Sequence, residues 1–301
     1  MILRFFRSRQ EVNRPNDIST THLARNSCHH IDGAYRPSKA QRRTRARRSR
    51  SRRNRHYSES DFILIRRFLC KKWSPEQIVG VIRRFKLMKR RISHETIYQY
   101  IWRDKAQGGS LWSHLRQSPK QRRKRYKAYD SRGRLAGKRH ISARPASVET
   151  RRVKGHWEID TVMGKGSTDC IVTLVERKTG FVQIGKLPDR TTALLNQKTL
   201  MLIRRQSTAV KTITADNGTE FHQYKKIEEK SGALFYFANP YHSWERGSNE
   251  NCNGLIRQYL PKGTSMASLT QQQCDAIANK LNERPRKRHN YKTPEELFYE
   301  I

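Results

Sequence analysis

The sequence has few cysteines and no long apolar run, and each shortage excludes a class of protein. The five cysteines form no C-x-x-C pair and no disulfide framework. Cys28, His29 and His30 have no second ligand pair at zinc-finger spacing, which argues against a zinc site. No segment approaches the roughly 18 apolar residues of a membrane-spanning helix, and the apolar part of residues 1–7 is too short for a signal peptide. We therefore expect a cytoplasmic protein with free thiols and no membrane partner.

Acidic residues are also scarce, since 26 Asp and Glu stand against 64 Lys and Arg and give a net charge of +38. Residues 1–150 contain 40 basic and 10 acidic side chains, which leaves 24 and 16 for residues 151–301. A basic half joined to a nearly balanced half indicates a region that binds a polyanion, followed by a region with another task. Lys and Arg that neutralise phosphates release counterions, which gives affinity for nucleic acid without reading its sequence.

Two basic stretches are predicted to lack a packed core. Residues 36–55 consist mainly of Arg and Ser, so we predict an irregular, flexible basic arm over residues 1–56, on or near DNA. A merely solvated tail is the alternative for residues 37–56. Residues 116–150 are basic and interrupted by Gly and Ser, which predicts a linker.

Three helix starts lie between these stretches. Ser58 precedes an apolar stripe at helical spacing. The segment Ser74–Gln77 combines a serine N-cap, a proline at the first helical position and a capping-box glutamine. Ser93 begins the third helix, with isoleucines before and after it at the spacing of a hydrophobic staple. The sequence therefore predicts a helical DNA-binding domain over residues 57–115.

Three short helices with basic flanks favour a helix-turn-helix module whose third helix enters the major groove. An ordinary three-helix packing unit stays open as the alternative, because the connection over residues 85–92 exceeds the usual turn of ~3–4 residues. The predicted DNA contacts lie on the third helix and on its basic approach, and they are Arg90, Arg91, Ser93, His94, Glu95, Thr96 and Gln99.

Residues 151–301 alternate strand-like and helical patterns. The strand-like runs cover 156–162, 170–176, 181–187, 210–215 and 233–238, and the helical patterns cover 191–206, 221–230, 245–260 and 270–284. Three strands in sequence, followed by alternating helices and strands, predict an α/β domain with a mixed sheet.

Two aspartates stand where predicted strands end, and a glutamate stands on a predicted helix. Asp160 and Asp216 each close a strand-like run, and functional groups of α/β sheets gather at such positions. Taken alone, Asp216 before Asn-Gly is more often a plain turn residue. Glu250 shares a polar helix face with Asn253 and Arg257. Taken alone, it would be a solvated glutamate.

The ensemble of these acids suggests a metal-dependent reaction. Mg²⁺ prefers oxygen ligands and is commonly held by a few carboxylates together with substrate phosphates. Two such ions about 3.5–4 Å apart can serve phosphoryl transfer, which needs about three acids converging from separate elements. Two strand ends and a helix can supply them.

Long motifs in order resemble the IS-thirty family of insertion-sequence transposases. The three longest are Gly155–Val162, Thr214–Phe221 and Asn239–Asn251. Shorter matches are Trp73–Ile78, Ser93–Tyr98, Asn253–Tyr259, Pro261–Thr264 and Tyr291–Pro294. The resemblance covers roughly residues 58–301. The N-terminus departs from it, since only fragments over residues 19–37 are similar to the family's first helix-turn-helix, as in a 5′-truncated or frame-altered copy.

The resemblance implies an RNase H-like, retroviral-integrase-like catalytic core over residues 151–301. It implies a DDE triad of Asp160, Asp216 and Glu250 that binds Mg²⁺ or Mn²⁺, with two ions expected. Water would free a 3′-hydroxyl at a transposon end, and that hydroxyl would then attack a second phosphodiester. The expected partners are double-stranded DNA, as inverted repeats and target, and at least a second copy of the chain, in the nucleoid of a bacterium.

Neighbouring polar residues complete the predicted site. Glu245 is a rival for the third acid; on a continuous helix it would lie about 140° from Glu250, so both could not face the site. The predicted second layer consists of Glu158, Asn217 and Asn253. The predicted phosphate contacts are Arg246, Arg257 and Lys262, with ordinary surface charge as the alternative for each. A catalytically silent DNA-binding protein and a basic RNA-binding protein are the rival functions.

Overall fold

The computed structural model describes residues 36–53, 57–116, 137–166, 168–206, 208–239 and 242–300. The chain divides into two compact units, Met1–Ser58 and Glu59–Ile301. Cys28, His29 and His30, the motif fragments before residue 36 and most of the predicted linker lie outside the described residues. None of the described helices is long and apolar enough to cross a membrane.

Helix α1, Pro37–Arg53, occupies the stretch for which the composition predicts an irregular arm. The irregular interpretation of these residues differs from the structure for a simple reason. Arginine and alanine are good helix formers, and a proline is favoured at the first helical position. The lack of apolar residues argues against a packed core here but not against a helix.

Three helices begin the second unit, as the start signals predict. They are α2 (Glu59–Cys70), α3 (Pro75–Phe85) and α4 (His94–Ala106). The Ser74 hydroxyl accepts from the Gln77 amide and closes the predicted capping box, and the Ser93 hydroxyl accepts from the Thr96 amide. The three helices share a core of fully buried side chains, which includes Ile65, Leu69, Ile78, Ile97 and Ile101.

Helix α3 packs against the C-terminal part of the same unit. A Cβ atom at Gly80 would meet the ring of Tyr291 at 2.2 Å, so only glycine permits this contact. The Gln77 side-chain amide donates to the Pro285 carbonyl over 2.7 Å. An ion pair of 2.8 Å joins Arg84 to Glu296. These contacts tie the helices of residues 59–116 to the far end of the chain.

The remainder of the unit is built around a five-stranded mixed sheet, which confirms the predicted α/β class. The strands are β1 (His156–Met163), β2 (Cys170–Glu176), β3 (Val182–Leu187), β4 (Thr212–Ala215) and β5 (Leu234–Phe237). Their order is β3-β2-β1-β4-β5, with antiparallel pairing from β3 to β1 and parallel pairing from β1 to β5. Strand β1 therefore lies at the centre.

Helices cover both faces of the sheet. They are α5 (Ala146–Thr150), α6 (Thr192–Arg204), α7 (Lys225–Ser231), α8 (Gly247–Ile256), α9 (Gln271–Asn282) and α10 (Pro294–Tyr299). On one face, Trp157 and Ile159 of β1 pack in a cluster with residues of α6 and α7. On the other face, Val162 of β1 packs with residues of α8 and α9. Because side chains alternate along a strand, Glu158 and Asp160 point to the α8 face.

Candidate active site

The register between β1 and β4 brings two of the predicted acids together. The strands are parallel, and Glu158 pairs with Thr214. Two residues further along each strand stand Asp160 and Asp216, on the same face of the sheet. Their side chains are 20% and 29% exposed, so both carboxylates are partly buried yet accessible.

Arg246 joins these two carboxylates. Its Nη1 lies 3.4 Å from Asp160 Oδ1, and its Nη2 donates to Asp216 Oδ2 over 3.2 Å. Nη1 also donates to the Ile159 carbonyl over 3.2 Å, and the arginine side chain is only 13% exposed. The two aspartates therefore converge on the position of a single cation. The sequence offered Arg246 as a phosphate contact; the structure instead places its guanidinium between the aspartates.

Asp160 is held by hydrogen bonds as well as by charge. Its Oδ2 accepts from the Asn253 side-chain amide over 2.7 Å, and its Oδ1 accepts from the Thr161 amide over 3.0 Å. Burial raises the pKa of Asp160 above its usual range, and the nearby Asp216 adds to the rise, whereas Arg246 opposes it. A cation at this position would favour the ionised carboxylate.

Helix α8 carries the third predicted acid, Glu250, on its first turn. Glu250 is exposed and lies three residues before Asn253, so both belong to one helix face. That face reaches Asp160 through the Asn253 amide. Glu250 itself does not lie close enough to the two aspartates to form a metal site with them. Among the described residues, no group of three His, Cys, Asp or Glu is arranged to hold a metal.

Glu245, the alternative candidate for the third acid, binds a neighbouring asparagine. Residues Ser243–Arg246 form a short 3-10 helix, and α8 begins only at Gly247, so the continuous helix behind the 140° argument does not exist. The Glu245 carboxylate accepts from the Asn239 backbone amide over 2.8 Å and from its side-chain amide over 2.9 Å. Both oxygens of Glu245 thus bind Asn239, which lies shortly after β5.

Glu158 and Arg177 form a buried ion pair beneath the site. Glu158 is 0% exposed, and one of its oxygens is bound by the Arg177 guanidinium. The other accepts from the Asn249 backbone amide over 2.9 Å. The strand pattern drew attention to Glu158, but no sequence signal identifies Arg177 as its partner.

Asn217 and Glu220 line the turn after β4. The Asn217 side-chain amide donates to the Ala238 carbonyl over 2.7 Å, and its oxygen accepts from Lys138. Glu220 is 5% exposed and accepts from the Thr161 hydroxyl over 2.8 Å. A Cβ at Gly218 would meet the Glu220 carboxyl group at 2.4 Å and Asp216 Oδ1 at 2.9 Å, so a larger residue would displace these side chains. Sequence reasoning overlooked Glu220, whose burial a lone glutamate after a turn does not indicate.

The predicted DNA-contact residues of the helical region lie at the surface. Those that are exposed are Arg90, Arg91, Ser93, His94, Glu95 and Gln99, and Thr96 is half-buried. The serine also caps α4, so its hydroxyl has a structural task in the protein alone. Beyond α4, Arg116 donates to the Asn251 side chain of α8 over 2.9 Å, next to Glu250.

Of the predicted phosphate contacts near the core, Arg257 is already engaged. Its guanidinium donates to the Met163 carbonyl over 3.1 Å and to the Leu260 carbonyl over 3.4 Å. Burial lowers the pKa of Arg257 below its ordinary value. Arg257 therefore ties α8 to the end of β1. Lys262 is exposed.

The two aspartates provide carboxylate oxygens that suit a divalent cation. Two carboxylates from separate strands already balance one cationic group, the Arg246 guanidinium. Hard divalent ions are bound by oxygen ligands of this kind.

The chain is similar to several known proteins. The integrase core domain family matches residues 150–243. The transposase for insertion sequence element IS4351 of Bacteroides fragilis is 41% identical over 275 residues, 91% of this chain and 84% of that protein. Transposase InsI for element IS30A of Escherichia coli is 39% identical over 235 residues, 75% of this chain and 61% of that protein. The catalytic core domain of BIV integrase covers 48% of this chain and 94% of that chain, with a TM-score of 0.38 and 21% identity.

Proposed function

Since the chain belongs to the IS-thirty (IS30) family of insertion-sequence transposases, we propose that Asp160, Asp216 and Glu250 form the carboxylate triad with which it cuts and joins DNA. The protein is a polynucleotidyl transferase with an integrase core of the RNase H-like class. The observation that supports the triad best is the β1–β4 register, which sets Asp160 beside Asp216. Helix α8 meets Asp160 one turn beyond Glu250.

Transposases with this core use divalent metal ions. We assign the ligands to Asp160, Asp216 and Glu250, with two Mg²⁺ or Mn²⁺ ions as the proposed complement. Bound there, the ions would activate the attacking oxygen and stabilise the leaving one. The Arg246 guanidinium would have to leave the aspartates, which frees it to bind a phosphate oxygen of the DNA. Asn253 keeps Asp160 oriented in the meantime.

The remaining assignments follow the chain's layout. We propose that residues 57–115 bind DNA, through α4 and its basic approach, and that residues 1–56 and 116–150 add contacts to phosphates. Inverted repeats and target are the proposed DNA partners, in the cytoplasm at the nucleoid. Joining two ends favours a dimer or larger assembly on DNA. Glu158, Asn217 and Asn253 support the triad, and Lys262 remains a proposed phosphate contact.

The test uses a plasmid that carries the DNA on both sides of the encoding gene. The Asp160→Asn, Asp216→Asn and Glu250→Gln variants should lose Mg²⁺-dependent nicking by a factor of about 1,000 or more, since each removes a charge needed in the transition state. DNA affinity, measured by filter binding, should stay within about twofold, because base and phosphate contacts lie elsewhere.

The matched control is Asp275→Asn. Asp275 lies on α9 in a half-exposed ion pair with Arg205, of 3.4 Å. This variant should nick at the wild-type rate. Unchanged nicking by Asp160→Asn would refute the triad. Metal-independent binding without any nicking by the wild type would instead identify a silent DNA-binding protein.

A further inference from the structure

Glu158 is a glutamate with no exposed surface, a rare state that is costly unless the carboxylate is paired or hydrogen-bonded. One oxygen receives the Arg177 guanidinium, and the other receives the Asn249 backbone amide over 2.9 Å. The arginine is fixed in turn, since its Nε donates to the Val148 carbonyl over 3.3 Å and its backbone amide donates to the His156 carbonyl over 2.8 Å. The carboxylate therefore sits in a rigid frame.

Glu158 binds a backbone N–H group at the start of α8, where the helix provides no acceptor of its own. Asn249 lies in the first turn of α8, where backbone N–H groups have no acceptor within the helix. A carboxylate at this end of a helix is also favoured by the helix dipole. Glu158 thus acts as the cap that the sequence before α8 does not provide, since no side chain caps the helix from position 246.

This cap lies next to the third acid of the site. Glu250 follows Asn249 directly, and Asn253, one turn later, binds Asp160. Strand β1 therefore holds α8 at two points, through Glu158 and Asp160, and Glu250 lies between them along the helix. We propose that Glu158, neutralised by Arg177, is a positioning residue that fixes Glu250 relative to Asp160. The proposal rests on the assignment of the triad.

The chain provides a matched control for mere burial. Glu176 is also 0% exposed, and its Oε2 accepts from the Thr179 amide over 2.6 Å and from the Thr179 hydroxyl over 2.7 Å. It closes the turn between β2 and β3, and its hydrogen-bond partners among the described residues lie outside α8. Loss of either glutamate removes a buried carboxylate, but only Glu158 is bonded to α8.

The experiment compares Glu158→Gln with Glu176→Gln in the full-length, metal-free protein by hydrogen exchange. We expect amides of residues 247–252 to exchange at least about tenfold faster in Glu158→Gln, the effect of losing one charge-assisted hydrogen bond. Exchange there should be unchanged in Glu176→Gln. The double variant Glu158→Gln/Arg177→Met, which leaves no unpaired buried charge, should show the same faster exchange if the single variant folds poorly.

A second measurement reads the position of Glu250. Mn²⁺ titration followed by electron paramagnetic resonance should give a dissociation constant at least about fivefold weaker for Glu158→Gln and unchanged for Glu176→Gln, with DNA affinity unaltered in both. Equal exchange in the two variants, or faster exchange without weaker Mn²⁺ binding, would overturn the positioning role. A wild-type protein that neither binds Mn²⁺ nor nicks DNA would refute the proposed triad instead, and the exchange data would still decide whether Glu158 caps α8.

Discussion

The Asn253 side-chain amide donates a hydrogen bond of 2.7 Å to Asp160, and this contact joins helix α8 to strand β1 at the candidate site. The hydrogen bond favours the ionised form of Asp160 and so opposes burial, which raises the pKa of that carboxyl. Because Asn253 lies one turn after Glu250, the contact also links the part of α8 that carries Glu250 to Asp160.

Replacement of this donor by an acid should make the metal-free site unstable. In Asn253→Asp, a second carboxylate faces Asp160, and we expect the free energy of unfolding to fall by about 1–3 kcal/mol. A divalent cation should restore more stability to this variant than to the wild type. Thermal unfolding with and without Mg²⁺ measures both effects.

The control is Asn196→Asp, since Asn196 is buried and donates to a backbone carbonyl, that of Gln223, over 3.0 Å. It should lose stability without gaining any extra response to Mg²⁺. An equal Mg²⁺ response in the two variants would contradict the assignment of Asp160 to a cation site.

Removal of the arginine between the aspartates should strengthen metal binding. Arg246→Met leaves Asp160 and Asp216 without their cation, so the metal-free protein should lose about 1–3 kcal/mol of stability. Its dissociation constant for Mn²⁺ should fall, because an ion no longer competes with the guanidinium. Arg205→Met, in a half-exposed pair with Asp275, is the control and should change neither quantity by much. Unaltered Mn²⁺ affinity in Arg246→Met would count against competition.

The contact between Gly80 and Tyr291 predicts a strongly coupled pair. An added methyl group in Gly80→Ala would overlap the tyrosine ring, at a cost of about 1–3 kcal/mol. In a Tyr291→Ala background the same change should cost little, because the ring is gone. A double-mutant cycle of urea unfolding measures the coupling. Gly247→Ala, where the new atom meets nothing within 4 Å, should not destabilise. Additive effects at the two positions would show that they do not touch.

His289 predicts a pH dependence of stability. Burial and the adjacent Arg288 lower the pKa of His289 to about 4, and its Nε2 accepts from the Arg288 side chain over 2.9 Å. Between pH 6.5 and 4 this imidazole is protonated in the unfolded chain and neutral in the folded chain. Its contribution to stability is therefore complete above pH 6.5 and is lost as the pH falls towards 4.

His289→Gln should flatten this part of the stability profile. Urea midpoints at pH 7 and pH 4.5 should differ less in the variant than in the wild type. His222→Gln, an exposed position on the same unit, serves as the control. The same pH response in His289→Gln and the wild type would exclude the imidazole as its source.

Local sequence patterns predict most of the fold because helix capping and the burial of apolar stripes act between residues close in sequence. The capping box at Ser74 and the apolar stripes of α2, α3 and α8 specify helices through neighbours three and four residues apart. Helix α1 was missed since the lack of a core argues only against packing, while arginine favours the helix.

The sequence proposes the acids of the candidate site but does not predict their contacts. Asp160 and Asp216 are visible as strand ends, yet their adjacency depends on the pairing of Glu158 with Thr214 across 56 positions of sequence. Arg246 lies where the 3-10 helix gives way to α8, a change of helix type that helical periodicity did not reveal. Arg177 meets Glu158 because β1 and β2 pair in the sheet. No local sequence rule predicts a contact between an arginine after one strand and a glutamate in the neighbouring strand.

The central place of β1 decides what can move within the site. The strand is hydrogen-bonded to β2 on one side and to β4 on the other, so the backbone that carries Asp160 is held by both neighbours. Glu250 belongs to a helix that side chains hold against that sheet. Movement of Glu250 relative to Asp160 therefore requires a displacement of α8 against β1 or a change of side-chain rotamer.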